Sequence, residues 1–338
     1  MAMLVSVLMP AWNSERWIEA AMTSVLTQTH RELELVVVDD ASTDRTPDLI
    51  ASFRDSRVRH VRLERRQGGV GFVLNRGLPH CQGELVARLD ADDVALSHRL
   101  ALQVAWLRDH PEVALVGGNM HILDDRGRTL GRAVMWHGRS LHYALHLANV
   151  LFHPAVTMRR AAIPATGYPA PRSRSEDWML YLAMMRAGHR IEALDAHVGI
   201  YRRHPAAVTH GPPRVTIAAE MGDHVAASLG HRHDTSTVAA WVGPFTVGDA
   251  ADPEDLADLA RRMSPDAMPA RALGGAPAWT PAGLRRARRV YVRRLAALVS
   301  AAARARRLDV VARLAPLVPR ATLAALRLPR RIANRPPP

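Results

Sequence analysis

The first 118 residues alternate short runs rich in Val and Leu with segments whose apolar residues recur at helical spacing. The runs at 3–9, 33–40, 58–63, 84–90 and 113–118 predict strands, and the segments at 17–26, 44–54, 70–79 and 97–109 predict helices. Because these strands are nearly continuous in apolar residues, both of their faces must be covered. The pattern predicts an α/β fold with a mostly parallel sheet and helices on both faces.

Two of the predicted strands end in acidic residues. Asp39 and Asp40 close the second strand, and Asp90, Asp92 and Asp93 follow the fourth. Ligands bind at the carboxyl ends of strands in such sheets, so we expect both groups to line one crevice. A hard divalent cation such as Mg²⁺ or Mn²⁺, which takes carboxylate and phosphate oxygens, would relieve the repulsion among these charges. Capping of helices or turns is the alternative use for Asp92 and Asp93.

The positive charge of the chain lies at its C-terminal end. The formal net charge is +13, but residues 280–338 carry fifteen arginines against the single acid Asp309, which gives +14 and leaves −1 for residues 1–279. A nucleic-acid-binding module would explain this end alone, so we expect no nucleic-acid partner. The single cysteine, Cys81, excludes an internal disulfide and fits a reducing compartment. No apolar run reaches the length of about 18 residues that predicts a spanning helix, which favours a cytoplasmic protein.

Four segments, in this order, resemble the family 2 glycosyltransferases of the GT-A fold. They are VSVLMPAWNSERWIEAAMTSVLTQTHRELELVVVDDASTDRT (5–46), GGVGFVLNRGL (68–78), RLDADD (88–93) and SEDWMLYLAMMRAG (175–188). The resemblance spans residues 3–210 and implies a GT-A-type, Rossmann-like sheet. It also implies a nucleotide-sugar donor, Mg²⁺ or Mn²⁺ as cofactor, and inverting transfer of the sugar to an acceptor hydroxyl. The acceptor is a glycan, a lipid-linked glycan or a small natural product.

The resemblance assigns the donor nucleotide to the ends of the first two strands. The residues concerned are Pro10, Ala11, Trp12, Asn13, Glu15 and Asp40. A carboxylate at position 40 suits the imide N–H of uracil or thymine and Trp12 supplies an aromatic wall, so a UDP- or dTDP-sugar is favoured. Glu15 is equally explained as an acid in the first turn of a helix, where the helix dipole favours it.

Two later segments add donor contacts under the same resemblance. In the Gly-rich segment 68–77, Asn75 matches the family, but Leu74 stands where relatives often carry Arg, and Arg76 is the candidate replacement. The alternative for this segment is a plain glycine turn before a helix. In the segment YRRHPAAVTH (201–210), Arg202 or its neighbour would contact the diphosphate and His204 would be a third metal ligand.

The acids carry the chemistry that the resemblance implies. Asp92 would hold the metal, Asp90 would contact the ribose or a metal-bound water, and Asp93 would bind the sugar or begin the next helix. Asp177 would be the general base that takes the acceptor proton, with Glu176 orienting a neighbour. The alternative for both residues of this second pair is an acidic start of the helix that follows.

The chain beyond residue 210 carries no recognisable motif. We expect a catalytic domain at 1–210, a helical extension with a Pro/Gly/Ala-rich linker at 211–283, and a basic amphipathic helical tail at 284–338. The tail predicts either attachment to the anionic inner face of a membrane or a helical pair packed on the catalytic domain with a solvated arginine face. A homo-oligomer is compatible with the sequence.

The alternatives to a glycosyltransferase come from two other classes of function. A nucleotidyltransferase also needs paired carboxylates and a metal, but it does not explain Glu176 and Asp177 as well. A non-catalytic nucleotide-sugar-binding protein would not need Asp90, Asp92 and Asp177 together.

Overall fold

The computed structural model describes residues 3–169, 175–205, 221, 224–226, 228–242, 252–273, 279–305 and 307–326. The chain forms two compact units, Met1–His137 with Val150–Gly211 and Gly138–Asn149 with Pro212–Pro338. Residues 138–149 therefore belong to the second unit, although they lie inside the predicted 1–210 domain. The boundaries at 210 and 283 both stay predictions; the first lies among residues 206–220, which are outside the described residues, and the second lies within the described range 279–305.

The first unit contains a sheet of nine described strands. They are β1 (Val5–Ala11), β2 (Leu33–Asp39), β3 (Val58–Arg62), β4 (Leu85–Arg88), β5 (Val94–Ala95), β6 (Val113–Asp124), β7 (Thr129–Ala133), β8 (Thr157–Arg159) and β9 (Arg190–Arg203). Their spatial order is β3-β2-β1-β4-β8-β6-β9-β5, and β7 pairs with β6. Strands β1, β2 and β4 are almost wholly buried, as their continuous apolar runs require.

The helices of the first unit follow the predicted segments closely. They are α1 (Ile18–Leu26), α2 (Thr46–Ser52), α3 (Val70–Gly77), α4 (Arg99–Asp109) and α6 (Glu176–Arg186). The described helices of the second unit are α5 (Gly138–Leu145), α7 (Thr235–Val242), α8 (Pro253–Arg262), α9 (Pro281–Arg304), α10 (Leu308–Leu314) and α11 (Arg320–Ala325).

The sheet is parallel in its first half and mixed in its second. Strands β3, β2, β1 and β4 pair in parallel, so their carboxyl ends meet at one edge. Strand β8 runs antiparallel to both β4 and β6, and β6 pairs in parallel with β9. The alternation of strands and helices that predicts parallel pairing ends near residue 118, and antiparallel strands need no crossover helix. The α/β class is confirmed, with more antiparallel pairing than expected.

The apolar face of the basic tail is buried inside the second unit. Leu295, Leu298 and Ala302 are fully buried on α9, and Tyr291 donates a hydrogen bond from Oη to the Ala260 carbonyl at 2.9 Å. The apolar residues of α9 therefore pack within their own unit, and attachment of the tail to an anionic membrane surface stays a prediction. Residues 306 and 327–338 of the tail lie outside the described residues. None of the described helices combines the length and apolar composition that crossing a bilayer requires.

Candidate active site

The loop after β4 brings three carboxylates together. Asp93 donates its backbone N–H to the Asp90 carbonyl at 3.2 Å, which closes a tight turn. One carboxylate oxygen each from Asp90, Asp92 and Asp93 lies within 4.8 Å of the others. Asp40 follows β2 at the same edge of the parallel sheet, where its backbone N–H bonds to the Ala11 carbonyl at 2.8 Å.

The three carboxylates lie close together as like charges, with Asp93 buried and with Asp90 and Asp92 partly exposed. Burial raises the pKa of Asp90, and the neighbouring Asp92 raises it further. Burial, followed by the charges of Asp90 and Asp92, holds the pKa of Asp93 well above its usual range. Asp93 Oδ2 is buried and has no hydrogen-bond partner among the described residues. An orphaned carboxylate oxygen beside two others fits a divalent cation with oxygen ligands such as Mg²⁺ or Mn²⁺.

A buried arginine at the end of β4 balances part of this charge. Arg88 is 2% exposed, and its Nη2 donates to Asp90 Oδ1 at 2.7 Å. Its Nε and Nη1 have no hydrogen-bond partner in the part of the chain that the structure describes. Arg88 also lies in electrostatic reach of Glu176, so its charge is shared between two acidic groups.

Arg202 at the end of β9 and His204 just after it contact Asp92 and Asp93. His204 Nε2 lies 2.8 Å from Asp92 Oδ2, and this hydrogen bond is the main cause that raises the pKa of the imidazole. Arg202 donates its backbone N–H to Asp93 Oδ1 at 2.8 Å and its Nη1 to the Asp92 carbonyl at 2.9 Å. The resemblance implied a diphosphate contact for Arg202 and a metal-ligand role for His204, and both roles stay predictions. The carboxylates that lie together include Asp93 as well as Asp90 and Asp92. His204 contacts this group through its hydrogen bond to Asp92.

Trp17 is a neighbour of the site that the sequence pattern did not single out. Its ring centroid is 4.8 Å from the Arg202 guanidinium and 4.1 Å from that of Arg16. Its ring lies 6.1 Å from the His204 ring. In the sequence, Trp17 reads as the first apolar residue of α1, and nothing in the spacing distinguishes that role from a place beside the site.

The start of α6 places a second acidic pair in the site. Glu176 is 8% exposed, and burial followed by the Asp177 charge raises its pKa to about 8, with a contribution from Asp90. Asp177 is half-buried, and its Oδ1 accepts a hydrogen bond from the Trp178 backbone at 2.7 Å. The pair therefore shares an electrostatic environment with Arg88 and Asp90.

The predicted nucleotide residues lie at the ends of β1 and β2. Pro10 and Ala11 end β1, paired with Val38 and Asp39. Asp40 is 5% exposed and its Oδ1 accepts the Gln67 backbone N–H at 2.7 Å, while burial raises its pKa. Asp40 is thus a buried hydrogen-bond acceptor at the carboxyl edge of the parallel strands.

Three of the predicted nucleotide residues hold loops in place. Trp12 is 41% exposed, and the Arg66 guanidinium lies 3.4 Å from its ring centroid. Asn13, with a φ of +46°, accepts the Thr43 backbone N–H at Oδ1, and Glu15 Oε2 accepts the Arg45 backbone N–H at 3.1 Å. Asn13 and Glu15 therefore tie the loop after β1 to the loop after β2, which shapes the nucleotide side of the edge.

The Gly-rich segment departs from the donor contact that the resemblance implies. Asn75 Oδ1 accepts the Tyr168 backbone N–H at 2.7 Å, and its Nδ2 donates to the Tyr168 carbonyl at 3.1 Å. Both polar atoms of this side chain thus hold a distant loop. Arg76 is exposed in the last turn of α3, and Leu74 is fully buried. The donor contacts of Asn75 and Arg76 stay predictions, and the geometry favours a positioning role for Asn75.

Comparison with known proteins supports the family that the sequence resembles. The family model described as Glycosyl transferase family 2 matches residues 6–164. UDP-Glc:alpha-D-GlcNAc-diphosphoundecaprenol beta-1,3-glucosyltransferase WfgD of Escherichia coli is 29% identical over 183 residues, which cover 54% of this chain and 70% of that protein. EpsE of Bacillus subtilis (strain 168) is 30% identical over 194 residues, covering 55% of this chain and 68% of EpsE.

Solved structures support the same architecture. S. aureus TarS 1–349 in complex with UDP-GlcNAc superposes with a TM-score of 0.58 at 20% identity, covering 94% of this chain and 84% of that chain. The family model and the relatives support a glycosyltransferase enzyme over the nucleotidyltransferase and the non-catalytic binding protein. The chain belongs to glycosyltransferase family 2. The predicted family, fold class and enzyme class are confirmed.

Proposed function

We propose that this glycosyltransferase moves a sugar from a UDP- or dTDP-sugar to an acceptor hydroxyl by direct displacement, with inversion at the sugar carbon. The observation that carries the proposal is the meeting of the Asp90–Asp92–Asp93 group with the Glu176–Asp177 pair. Arg88 and Asp90 both act electrostatically on Glu176, so the two acidic groups lie within electrostatic reach of each other. One group suits the leaving diphosphate, and the other suits the attacking hydroxyl.

The donor would lie along the carboxyl edge of β1, β2 and β4. Asp40 would accept the imide N–H of the base beside Trp12, and Arg202 would reach the diphosphate. Asp90, Asp92 and Asp93 would hold Mg²⁺ or Mn²⁺, with His204 fixing the Asp92 carboxylate. The metal would supply positive charge to the departing nucleoside diphosphate. The structure of the mannosyltransferase PcManGT from Pyrobaculum calidifontis contains GDP-Man and Mn²⁺. It superposes with a TM-score of 0.50 at 20% identity, and the match covers 98% of this chain and 83% of that chain.

Asp177 would take the proton of the acceptor hydroxyl as the oxygen attacks. It follows Ser175 and Glu176 in the first turn of α6, where exposed N–H groups favour an ionised carboxylate. The pKa of Glu176, raised to about 8, keeps a proton on that neighbour near neutral pH, which leaves the negative charge of the pair on Asp177. A single attack opposite the leaving group inverts the sugar carbon.

The acceptor is proposed to be a glycan carried on a lipid. WfgD is named for transfer to a diphosphoundecaprenol-linked GlcNAc, and it matches 54% of this chain. The exposed arginines of α9 supply a surface for peripheral contact with anionic lipid, which would place the enzyme at the inner face of a membrane. A glycan end or a small natural product stays the alternative acceptor.

The test is a thermal-shift panel of nucleotide sugars with and without Mn²⁺. A ligand that binds the folded state alone raises the melting temperature. We expect UDP- or dTDP-sugars to raise it more with Mn²⁺ than without, and we expect Asp92→Asn to remove the metal-dependent part. Asp109→Asn, at an exposed carboxylate, is the matched control. Equal shifts with every nucleotide, or a metal effect that survives Asp92→Asn, would contradict the proposal.

A further inference from the structure

The second unit contains a cluster of metal-binding side chains that the transfer reaction does not use. His231 and His233 precede α7, and Asp255 and Asp258 lie one turn apart on α8. His231, His233 and Asp258 each offer a ligand atom within 4.8 Å of the others. The His231 and His233 rings stand edge to face with centroids 4.7 Å apart. Two imidazoles and a carboxylate therefore converge on one point.

The hydrogen bonds of His233 aim one ring nitrogen into this cluster. Its Nδ1 lies 2.6 Å from Asp255 Oδ1, and Asp255 Oδ2 accepts the Asp234 backbone N–H at 3.0 Å. Asp255 is thus fixed from two sides, and it favours the tautomer with the proton on Nδ1. Nε2 then carries the lone pair, and Asp258 Oδ2 lies 4.0 Å from it.

His233 Nε2 is a buried polar atom without a partner. The side chain is 0% exposed, and Nε2 has no hydrogen bond within the described residues. A separation of 4.0 Å is too long for a hydrogen bond to Asp258. Buried polar atoms in folded proteins are nearly always satisfied, so this atom indicates a missing partner between the imidazole and the carboxylate.

We propose that His231, His233 and Asp258 bind a zinc ion, with Asp255 as the carboxylate that orients His233. Imidazole nitrogens and a carboxylate oxygen are ordinary zinc ligands, and a carboxylate on the far ring nitrogen is the usual support of a ligating histidine. Ligand atoms at about 2.0–2.2 Å from a tetrahedral zinc lie about 3.4 Å apart. The 4.0 Å separation of His233 Nε2 and Asp258 Oδ2 needs to shorten by a fraction of an ångström.

The chemistry of this cluster differs from that of the three aspartates after β4. Nitrogen ligands select zinc over Mg²⁺ or Mn²⁺, whereas an all-oxygen group favours the harder ions. One competitor is present, because Arg262 Nε donates to Asp258 Oδ2 at 2.6 Å. This is the same oxygen that lies 4.0 Å from His233 Nε2, so a metal would either share it with Arg262 or take the other oxygen of the Asp258 carboxylate. The ion would join the segment 231–234 to α8 and leave a fourth position to water, since His231 is exposed.

The experiment measures metal bound to the full chain after removal of any affinity tag. We expect one equivalent of zinc to survive dialysis, and we expect Co²⁺ added to the stripped protein to show the visible absorption of tetrahedral coordination. His231→Gln changes an exposed side chain and Asp258→Asn keeps the side-chain shape, so both variants should fold. Both should lose the zinc and the Co²⁺ spectrum. Asp255→Asn should weaken zinc binding about 10- to 100-fold while the ligands remain.

Two matched controls separate this site from the rest of the chain. Asp92→Asn removes a carboxylate of the candidate active site, and His80→Gln removes an exposed histidine of the first unit. Both should keep one zinc and the full spectrum. A wild-type chain that retains no zinc, or zinc lost equally from His80→Gln and His231→Gln, would overturn the proposal. Because the readout is metal content, its failure leaves the proposed sugar transfer untouched.

Discussion

Arg88 and Asp90 form a hydrogen-bonded ion pair, Nη2 to Oδ1 at 2.7 Å, at the carboxyl end of β4. The arginine is buried, and Asp90 reaches from it toward Asp92 and Asp93. The same cation acts on Glu176 at the start of α6. One buried guanidinium therefore links the acids of the metal group to the acids of the candidate base, and it limits the repulsion between them.

We predict that Arg88→Gln both destabilises the fold and weakens metal binding by the Asp90–Asp92–Asp93 group. Removing one partner of a buried pair leaves an uncompensated charge, which costs about 3 kcal/mol of unfolding free energy. Urea unfolding monitored by circular dichroism measures this loss. The matched control is Arg108→Gln, which breaks the exposed pair with Asp109 and should change stability by less than about 0.5 kcal/mol. Equal losses of unfolding free energy in the two variants would show that the buried Arg88 pair contributes no more to stability than an exposed pair.

We predict that Asp177→Asn lowers sugar transfer by about 100- to 10,000-fold with little change in donor affinity. The amide keeps the shape of the carboxylate but cannot take the acceptor proton. Initial rates with a donor and acceptor pair measure the loss, and calorimetric titration of the donor measures binding. Asp109→Asn, with an exposed side chain at the end of α4, should retain full activity. If donor binding falls as far as the rate, Asp177 is a structural residue and not the base.

The sequence predicts the edge of the sheet well because the cause is local. Buried strands such as β1 and β2 need apolar residues on both faces, so their ends are visible in the pattern, and acids placed at those ends must meet. The sequence did not predict the burial of Arg88, because an arginine at the end of an apolar run is typical of an exposed strand end. The pairing with Asp90 and Glu176 that allows its burial depends on tertiary contacts, which spacing does not contain.

Two other features that the sequence left open also depend on tertiary contacts. Asn75 fits the family pattern for a donor contact, yet its amide binds the backbone of Tyr168, ninety-three positions away. The apolar face of α9 has the same spacing whether it covers a membrane or a protein. In both cases the sequence specifies the chemistry of a face, and the partner comes from the rest of the fold.

We predict that the stability of the wild type falls relative to Glu176→Gln as the pH rises. The pKa of Glu176 is raised from 4.5 to about 8, so between these values the folded chain holds a proton that the unfolded chain has released. The unfolding free energy then decreases by about 1.4 kcal/mol per pH unit from this group, and the glutamine variant lacks this slope. Urea unfolding from pH 5 to about 8, with a chelator present, compares the two. Glu84→Gln, at an exposed position, should follow the wild type.

We predict that Asp40→Asn weakens UDP binding about tenfold and changes CDP binding much less. Uracil presents an imide N–H that a carboxylate accepts with a charge-assisted hydrogen bond, whereas cytosine presents no such donor at that position. An amide oxygen can accept the Gln67 N–H but gives a weaker bond to the base. Calorimetric titration of the two nucleotides measures the ratio. Asp48→Asn, in the first turn of α2, is the control, and a parallel loss for both nucleotides would remove Asp40 from base recognition.

The last prediction concerns the two faces of α9, to which we assign different roles. Leu298 is fully buried, so Leu298→Ala should lower the unfolding free energy by about 2–5 kcal/mol, whereas an exposed arginine such as Arg289 changed to Gln should have little effect on stability. Replacement of Arg285, Arg289 and Arg293 by Gln should instead reduce sedimentation with anionic vesicles, since each arginine near such a surface contributes about 1 kcal/mol. The binding should weaken with salt, because with the apolar face buried the attraction is electrostatic. Sedimentation that resists salt and survives the triple substitution would show that another part of the chain holds the membrane.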